Sequence, residues 1–466
     1  LEVIGIILSL FLLMFFAYKG FSVILFAPIF ALLAASLSGL SIMPAYTELF
    51  MAKGVVYIKS FFPVFLLGAV FGKLMEDTGL AKGIAHAIIQ GLGKERAILS
   101  VVLAGCVLTY GGVSLFVVVF AVYPFASALF KEANIPKRLL PATIALGAFT
   151  ATMDSFPGTP QIQNLIPTNF FGTNIYAAPI LGLFGGLSII TLGIMWLEHR
   201  RKSAAIAGEG YGNHTLNETE IKEDTTFPSW KLSILPLIAV LVVNFIMNNL
   251  FVWDPNMLEP FKAMKLPLTA SEVKNVISIW SLIIALVTGI LLVIVLGYKN
   301  LKTTSGLAKS LNAGAIGSLL AILNTASEVG YGNVIASLPG FHAISTALMN
   351  IKVGGSPLVS EAVTVNVLAG VTGSASGGMS IALDLMSKDW LSWANSIGMS
   401  PEILHRVASM ASGGMDTLPH NGAVITLLAV CGMTHKDSYG DIFVLTVLKS
   451  VMVFVVILLH TLTGIL

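Results

Sequence analysis

The chain is poor in charge and in cysteine. Of its 466 residues only 11% are charged, 26 Lys or Arg against 24 Asp or Glu, for a net charge of +2. So small a balance, spread between apolar runs, offers no basic patch for nucleic acid and no acidic face for a cationic partner. Cys106 and Cys431 are the only cysteines, and both lie in apolar surroundings. Two inert buried thiols are expected there rather than a disulfide or metal framework. No ligand spacing suggests a structural metal, no phosphate loop is found and no serine–base pair stands out. No cofactor is therefore expected, and the chain does not read as an enzyme. The first residue is Leu, and the opening apolar segment is followed by many more, so it is not read as a cleaved signal.

What the chain has instead is apolar length. Hydrophobic residues make up 56% of it, and the mean hydropathy is +0.88, values that indicate a polytopic membrane protein. One shift organises it. Met153-Asp154-Ser155 and Met415-Asp416-Thr417 lie 262 positions apart, each followed by a proline two residues on, Pro157 and Pro419. The same shift carries Gly111-Gly112-Val113-Ser114 onto Gly373-Ser374-Ala375-Ser376, and the apolar run 175–198 onto 441–464. Two homologous halves follow. Acidic, proline-broken segments at corresponding places in two apolar halves point to a transporter's binding site.

The charges set a topology. Runs 3–17 and 21–40 form a helical hairpin, and a third, 52–75, ends in Lys73 to Asp77, ahead of Lys82, Lys94 and Arg96. By the positive-inside rule this face is cytoplasmic. The apolar segment 97–130 has basic residues on both flanks (Lys94 and Arg96; Lys131, Lys137 and Arg138) and a glycine turn at its centre. A re-entrant hairpin keeps all five charges inside. Segment 139–168 is too proline-rich around Asp154 to Pro160 for continuous helix and reads as two half-helices. Span 175–198 then ends in His199 to Lys202, and the polar stretch up to 231 reads as a flexible cytoplasmic linker. The second half, 232–466, repeats the plan inverted. It has spans across 232–328, a hairpin at 357–386, a split helix at 402–431 and a last span at 441–464.

The expected fold class is thus an all-α polytopic membrane protein of two inverted-topology repeats, each with a re-entrant hairpin and a broken helix, divided into scaffold and transport domain. The first repeat covers 1–198, with scaffold spans in 1–75, and 199–231 is the linker. Ten spans and two opposed hairpins satisfy charges and repeat together.

Broken backbone at membrane depth is tolerated only where protein or water covers it, so four matched breaks imply a shared polar cavity. Half-helix and hairpin ends present free N–H groups that suit a carboxylate. Tyr110, Gly111, Gly112, Ser114, Ser155, Thr159, Ser374, Ser376, Thr417, His420 and Asn421 are the candidate substrate-binding residues. A site of this kind is expected to need no buried arginine. Asp154, Asp416 and Glu328 are intramembrane carboxylates, functional by default, and are the candidates for proton coupling; Asp154 and Asp416 also suit capping of a half-helix. Glu328 is expected near a helix end. His420 suits a ligand or proton role or a structural hydrogen bond. Glu361 and Asp384 flank the second hairpin.

These residues carry a resemblance. The block Tyr110 to Phe116, the run Lys137 to Gly147 with Thr150 to Gln161 after it, and Ser412 to Gly422 look like the gluconate permease (GntP) family, over nearly the whole chain. The resemblance implies a proton symporter for small hydroxylated monocarboxylates in the bacterial inner membrane. It also implies membership of the ion transporter superfamily, whose members include homodimers moving a transport domain against a scaffold. Phe156 and Leu418 near the breaks lean towards a small substrate resembling 3-hydroxybutyrate rather than gluconate. The tips lack the Ser-Asn-Thr signature of sodium-coupled relatives, which favours protons. A sodium/proton antiporter, a channel and an intramembrane aspartyl enzyme using Asp154 and Asp416 are the alternatives.

Overall fold

The computed structural model describes residues 2–19, 21–218, 227–303, 306–351, 353–419 and 421–466. Every regular element among them is helical. Helices α1 (Glu2–Tyr18) and α2 (Val23–Leu37) form the opening hairpin, and a π-helical turn, Ala45–Met51, leads into α3 (Ala52–Asp77). After α4 (Leu80–Leu92) comes the pair α5 (Ala97–Tyr110) and α6 (Leu115–Glu132). A broken segment follows, α7 (Leu140–Ala148), α8 (Ala151–Asp154) and α9 (Ile162–Phe171), and then α10 (Pro179–Ile206). The second half contains α11 (Leu235–Asn249), α12 (Ile277–Thr303), α13 (Leu307–Ala336), α14 (Pro339–Met349) and the pair α15 (Leu358–Thr372) and α16 (Ala375–Ser396). It closes with α17 (Pro401–Gly414), a 3-10 turn at Met415–Thr417, α18 (Gly422–Cys431) and α19 (His435–Thr463).

Adding 262 to the ends of α5, α6, the α7–α8 stretch and α9 gives 359–372, 377–394, 402–416 and 424–433. Each lies within two residues of α15, α16, the stretch from α17 through the 3-10 turn, and α18. The breaks fall where helix chemistry demands them. Pro157 and Pro160 deny backbone donors after Asp154, and Asn421 caps α18 through its side chain, which accepts from the amides of Ala423 and Val424. The hairpin tips turn on Gly112 (φ +92°) and Gly373 (φ +67°), a left-handed conformation open to glycine.

Among the described residues six helices are long and apolar enough to cross a membrane: Ile42–Asp77, Pro179–Ile206, Trp230–Asn249, Ile277–Lys302, Leu307–Ala336 and His435–Thr463. Of the ten expected spans, two are the broken segments and two are α1 and α2, which have only 17 and 15 residues. Helix α2 stops at Ser38-Gly39, where Gly39 turns left-handed. Both pack as a separate cluster, Ile6, Leu13, Phe30 and Ala31 against Tyr331, Val334 and Ile335 of α13, and Ser9 is hydrogen-bonded to the Tyr331 hydroxyl. Helix α13 runs unbroken through Glu328, which corrects the expected helix end there: Gly330 and Gly332 sit inside the helix because they take close neighbours, Phe50 and Ile381.

The expectation of a flexible linker does not hold for residues 209–218. Glu209 accepts two hydrogen bonds from Arg138, at 2.7 and 2.8 Å. Tyr211 bonds Ser127. Lys137, fully buried, donates to Leu216 carbonyl and to Glu218. Asn217 reaches the Ala429 carbonyl at the end of α18, and its own carbonyl accepts from Tyr123. Polar, turn-rich composition reads as linker, yet those same side chains tie the segment as a strap across α6 and α18.

Candidate functional site

The two breaks meet through charged side chains. Asp154 is buried at the end of α8; its Oδ1 accepts from Ser155 Oγ at 2.6 Å, and its main-chain carbonyl accepts from Ser409 Oγ at 2.6 Å and Arg406 Nη1 at 3.4 Å, both on α17. Asp416, in the other break, is 2.7 Å from Lys449 Nζ. Lys449 is itself buried in the middle of α19 and also donates to the Phe149 carbonyl at 3.2 Å. That carbonyl lies where α7 ends and the chain turns before α8, so it is free of the helix ladder. Lys449 is therefore shared between the breaks, through the Asp416 carboxylate of one and the Phe149 carbonyl of the other.

Glycines make the room. A Cβ on Gly413 would overlap the Asp154 carboxylate, and one on Gly377 would overlap that of Glu328. No other residue fits either position as built.

Arg406 is wholly buried and fans out: Nη2 donates to the Ala177 carbonyl at 2.7 Å, Nη1 to Asn164 Oδ1 at 3.1 Å. Asn164 completes the lattice through Nδ2, bonded to the carbonyls of Thr159 and Ile175, and His405 joins at Asn164 Oδ1 and Thr173. The buried arginine beside the first break thus serves main-chain carbonyls and Asn164. The broken first segment leaves carbonyls pointing inward, and a guanidinium with five donors satisfies several at once.

Each tip is tied to the break of its own half. In the first, Tyr110 donates to the Pro157 carbonyl at 2.8 Å and Gln161 Nε2 to the Thr109 carbonyl at 2.7 Å; Gly111 packs against Leu237, and Gly112 against Pro160 and Val240. In the second, Asn421 Nδ2 donates to the Gly373 carbonyl at 2.7 Å. Ser374 caps α16 by accepting from the Gly377 amide, and Ser376 lies 3.5 Å from Thr325 of α13. Glu328, on α13, lies against this second tip, and among the described residues its Oε2 has no hydrogen-bond partner.

Several candidate donors are engaged locally. Thr159 donates to the Thr152 carbonyl at 2.6 Å, and Thr417 pairs with Thr446 at 2.7 Å. Ser114 precedes α6 without capping it, its Cβ packed close to Gly72. Asp384 accepts from Asn333 at 3.0 Å, whereas Glu361 is fully buried and, among the described residues, neither of its carboxyl oxygens has a hydrogen-bond partner. His420 lies outside the described residues. Sequence reasoning missed Lys449, Arg406 and His405. Lys449 carried a signal, a lone cation within the apolar run 441–464.

Comparison with known proteins agrees with this architecture. A family model described as GntP family permease matches residues 1–463. The chain is 52% identical over 475 residues to the uncharacterized transporter YxjC of Bacillus subtilis, covering 100% of both chains. It is 33% identical over 134 residues to the high-affinity gluconate transporter of Escherichia coli, covering 28% of this chain and 29% of that one. Among solved structures, Neisseria gonorrhoeae MtrF, described as one of a class of antimetabolite efflux pumps, superposes with a TM-score of 0.54 at 14% identity, over 93% of this chain and 94% of its own. At that identity the likeness is one of fold. The chain, a multi-pass membrane permease and not an enzyme, belongs to the GntP permease family.

Proposed function

We propose that this permease is a proton-coupled symporter of a small hydroxylated monocarboxylate, gluconate or a smaller acid such as 3-hydroxybutyrate, in the bacterial inner membrane. The observation that supports the reading is the pair of buried carboxylates, Asp154 and Asp416, at matched breaks, with the buried ammonium of Lys449 paired to Asp416 and bonded to the Phe149 carbonyl just ahead of the Asp154 turn. Intramembrane carboxylates of this kind mark ion and proton pathways. The gluconate transporters among its relatives support the substrate class. The α5–α6 and α15–α16 pairs act as opposed re-entrant hairpins, and their tips with the two breaks hold the carboxylate at the midplane. Tyr110, Gly111, Gly112, Ser114, Ser374, Ser376 and Asn421 line it from the tips and the second break, Ser155, Thr159 and Thr417 from the breaks. Asp154, Asp416 and Glu328 handle the proton. The hairpin-bearing parts move against the paired spans of 1–75 and 232–328 to alternate access, within a homodimer.

The test is uptake of labelled gluconate and 3-hydroxybutyrate into proteoliposomes under an imposed pH gradient and, separately, a sodium gradient. Accumulation driven by the pH gradient alone is expected. Asp154→Asn and Asp416→Asn are each expected to abolish it, and retention of proton-driven uptake by both variants would overturn the assignment.

A further inference from the structure

A cavity of about 300 Å³ opens between α3, α9, α12 and the segment before α12. Lys59, Ser60 and Pro63 of α3 line one side, Asn169 of α9 another, and Asn275 and Trp280 the third. It lies away from the breaks. Lys59 is 14 residues before Lys73, about 21 Å along the helix at 1.5 Å per residue. Lys73 to Asp77 and, on α12, Lys299 and Lys302 mark the opposite end of both helices, which the positive-inside rule places in the cytoplasm. The cavity therefore faces outward.

Its chemistry is specific. Among the described residues Lys59 makes no ion pair, whereas the nearby Glu272 is held by Lys274 at 2.7 Å. Asn169 Oδ1 is buried and has no hydrogen-bond partner among the described residues, a deficit of about 1–3 kcal/mol unless something donates to it. An ammonium and an unfilled acceptor lining one cavity suit a molecule that carries a carboxylate and a hydroxyl. Asn169 also sits on the half-helix that begins beside Gln161, the residue bonded to the first tip. Eight residues, about 12 Å of helix, separate the two.

We infer that this cavity is an outer vestibule that binds a small hydroxy-carboxylate, carboxylate on Lys59 and hydroxyl on Asn169, before it reaches the tips. The inference rests on the substrate class proposed above. A lone lysine beside a tryptophan at a membrane surface also suits an anionic lipid headgroup; the buried acceptor on α9 favours the hydroxy acid.

The test uses the full-length protein in proteoliposomes. Uptake of labelled gluconate and 3-hydroxybutyrate is measured for the unaltered protein, Lys59→Met and Lys59→Arg. Separately, Ser271→Cys, an exposed residue of the cavity lining, is modified with a membrane-impermeant thiol reagent with and without each acid; Cys106 and Cys431 are buried. Lys59→Met is expected to raise KM up to about fivefold, the range of a partly exposed ion pair, while keeping the maximal rate, with Lys59→Arg restoring KM. The transported acid is expected to slow modification of Ser271→Cys. Normal uptake with an unchanged KM in Lys59→Met and no protection would overturn the vestibule while leaving the symporter intact. Protection by phosphatidylglycerol in the bilayer, but by neither acid, would make it a lipid seat and overturn it equally. Uptake of neither acid by the unaltered protein would overturn both readings.

Discussion

Lys449 Nζ stands 2.7 Å from Asp416 Oδ1 and 3.2 Å from the Phe149 carbonyl, so one side chain on the last helix fastens both breaks. Both charged partners are buried. Removing either leaves the other without compensation, which costs about 3–5 kcal/mol, whereas replacing both with neutral residues restores much of that. Lys449→Met and Asp416→Asn are each expected to lower the Tm of the detergent-solubilised protein sharply. The double variant should recover most of the loss and still fail to transport. Single variants that melt with the unaltered protein would show that the pair holds nothing.

The breaks were legible in the sequence because prolines and glycines announce them: α7 to α9 and α17 to α18 begin and end close to the expected limits. The two helix pairs that meet at the glycine tips were legible for the same reason, although α16 runs on to Ser396 where the sequence suggested an end near 386. Lys388 and Asp389 look like a boundary, but Trp390 between α16 and α15 is fully buried and bonds Ser360. What periodicity does not encode is pairing across the chain. Arg406 bonds residues more than 220 positions away, and Lys449 joins Phe149 across 300. Their charges stood in plain view, but nothing local names the carbonyls that satisfy them.

Close approach at Gly413 gives a sharper test than removal of charge. A methyl there would overlap the Asp154 carboxylate, whereas Gly422, at the start of α18, has open space around its Cβ position. Gly413→Ala is expected to displace Asp154 and reduce uptake at least about tenfold, the equivalent of ~1.4 kcal/mol in the transport barrier. Gly422→Ala is expected to transport normally, since alanine also favours helix there. Equal uptake by the two variants would remove the steric argument.

The strap over 209–218 supplies a pH dependence with a definite sign. The hydrogen bonds from Arg138 hold the Glu209 carboxyl below the ordinary glutamate range. For Glu218 burial pushes upward, but the bond from Lys137 and its charge outweigh it and the net shift is also downward. A depressed folded pKa means that the contribution is complete above the unfolded value, 4.5, and is lost as pH falls through the folded one. Amide hydrogen exchange of 209–218, corrected for the intrinsic rate, should therefore show constant protection from pH 8 to 5 and a loss below 4.5. Glu209 is about two-fifths exposed, so Glu209→Gln should cost under ~1 kcal/mol of local protection. Lys137→Met, which removes a buried ammonium from the Leu216 carbonyl and Glu218, should free the segment more fully. Protection that weakens between pH 8 and 6 would contradict the assignment of these carboxylates.

Glu361 separates burial from function. It is wholly enclosed on α15, and among the described residues neither carboxyl oxygen has a hydrogen-bond partner. An unpaired polar group in such a place destabilises by about 1–3 kcal/mol, and an apolar side chain of similar size relieves it. Glu361→Leu is accordingly expected to raise the Tm. It should leave proton-driven uptake intact, because the proposed site gives the proton to Asp154, Asp416 and Glu328. Uptake and melting must be read together. A variant that melts higher and transports normally marks Glu361 as a packing fault that the fold tolerates. A variant that melts higher but loses only its response to the pH gradient would transfer the proton from the two breaks to α15.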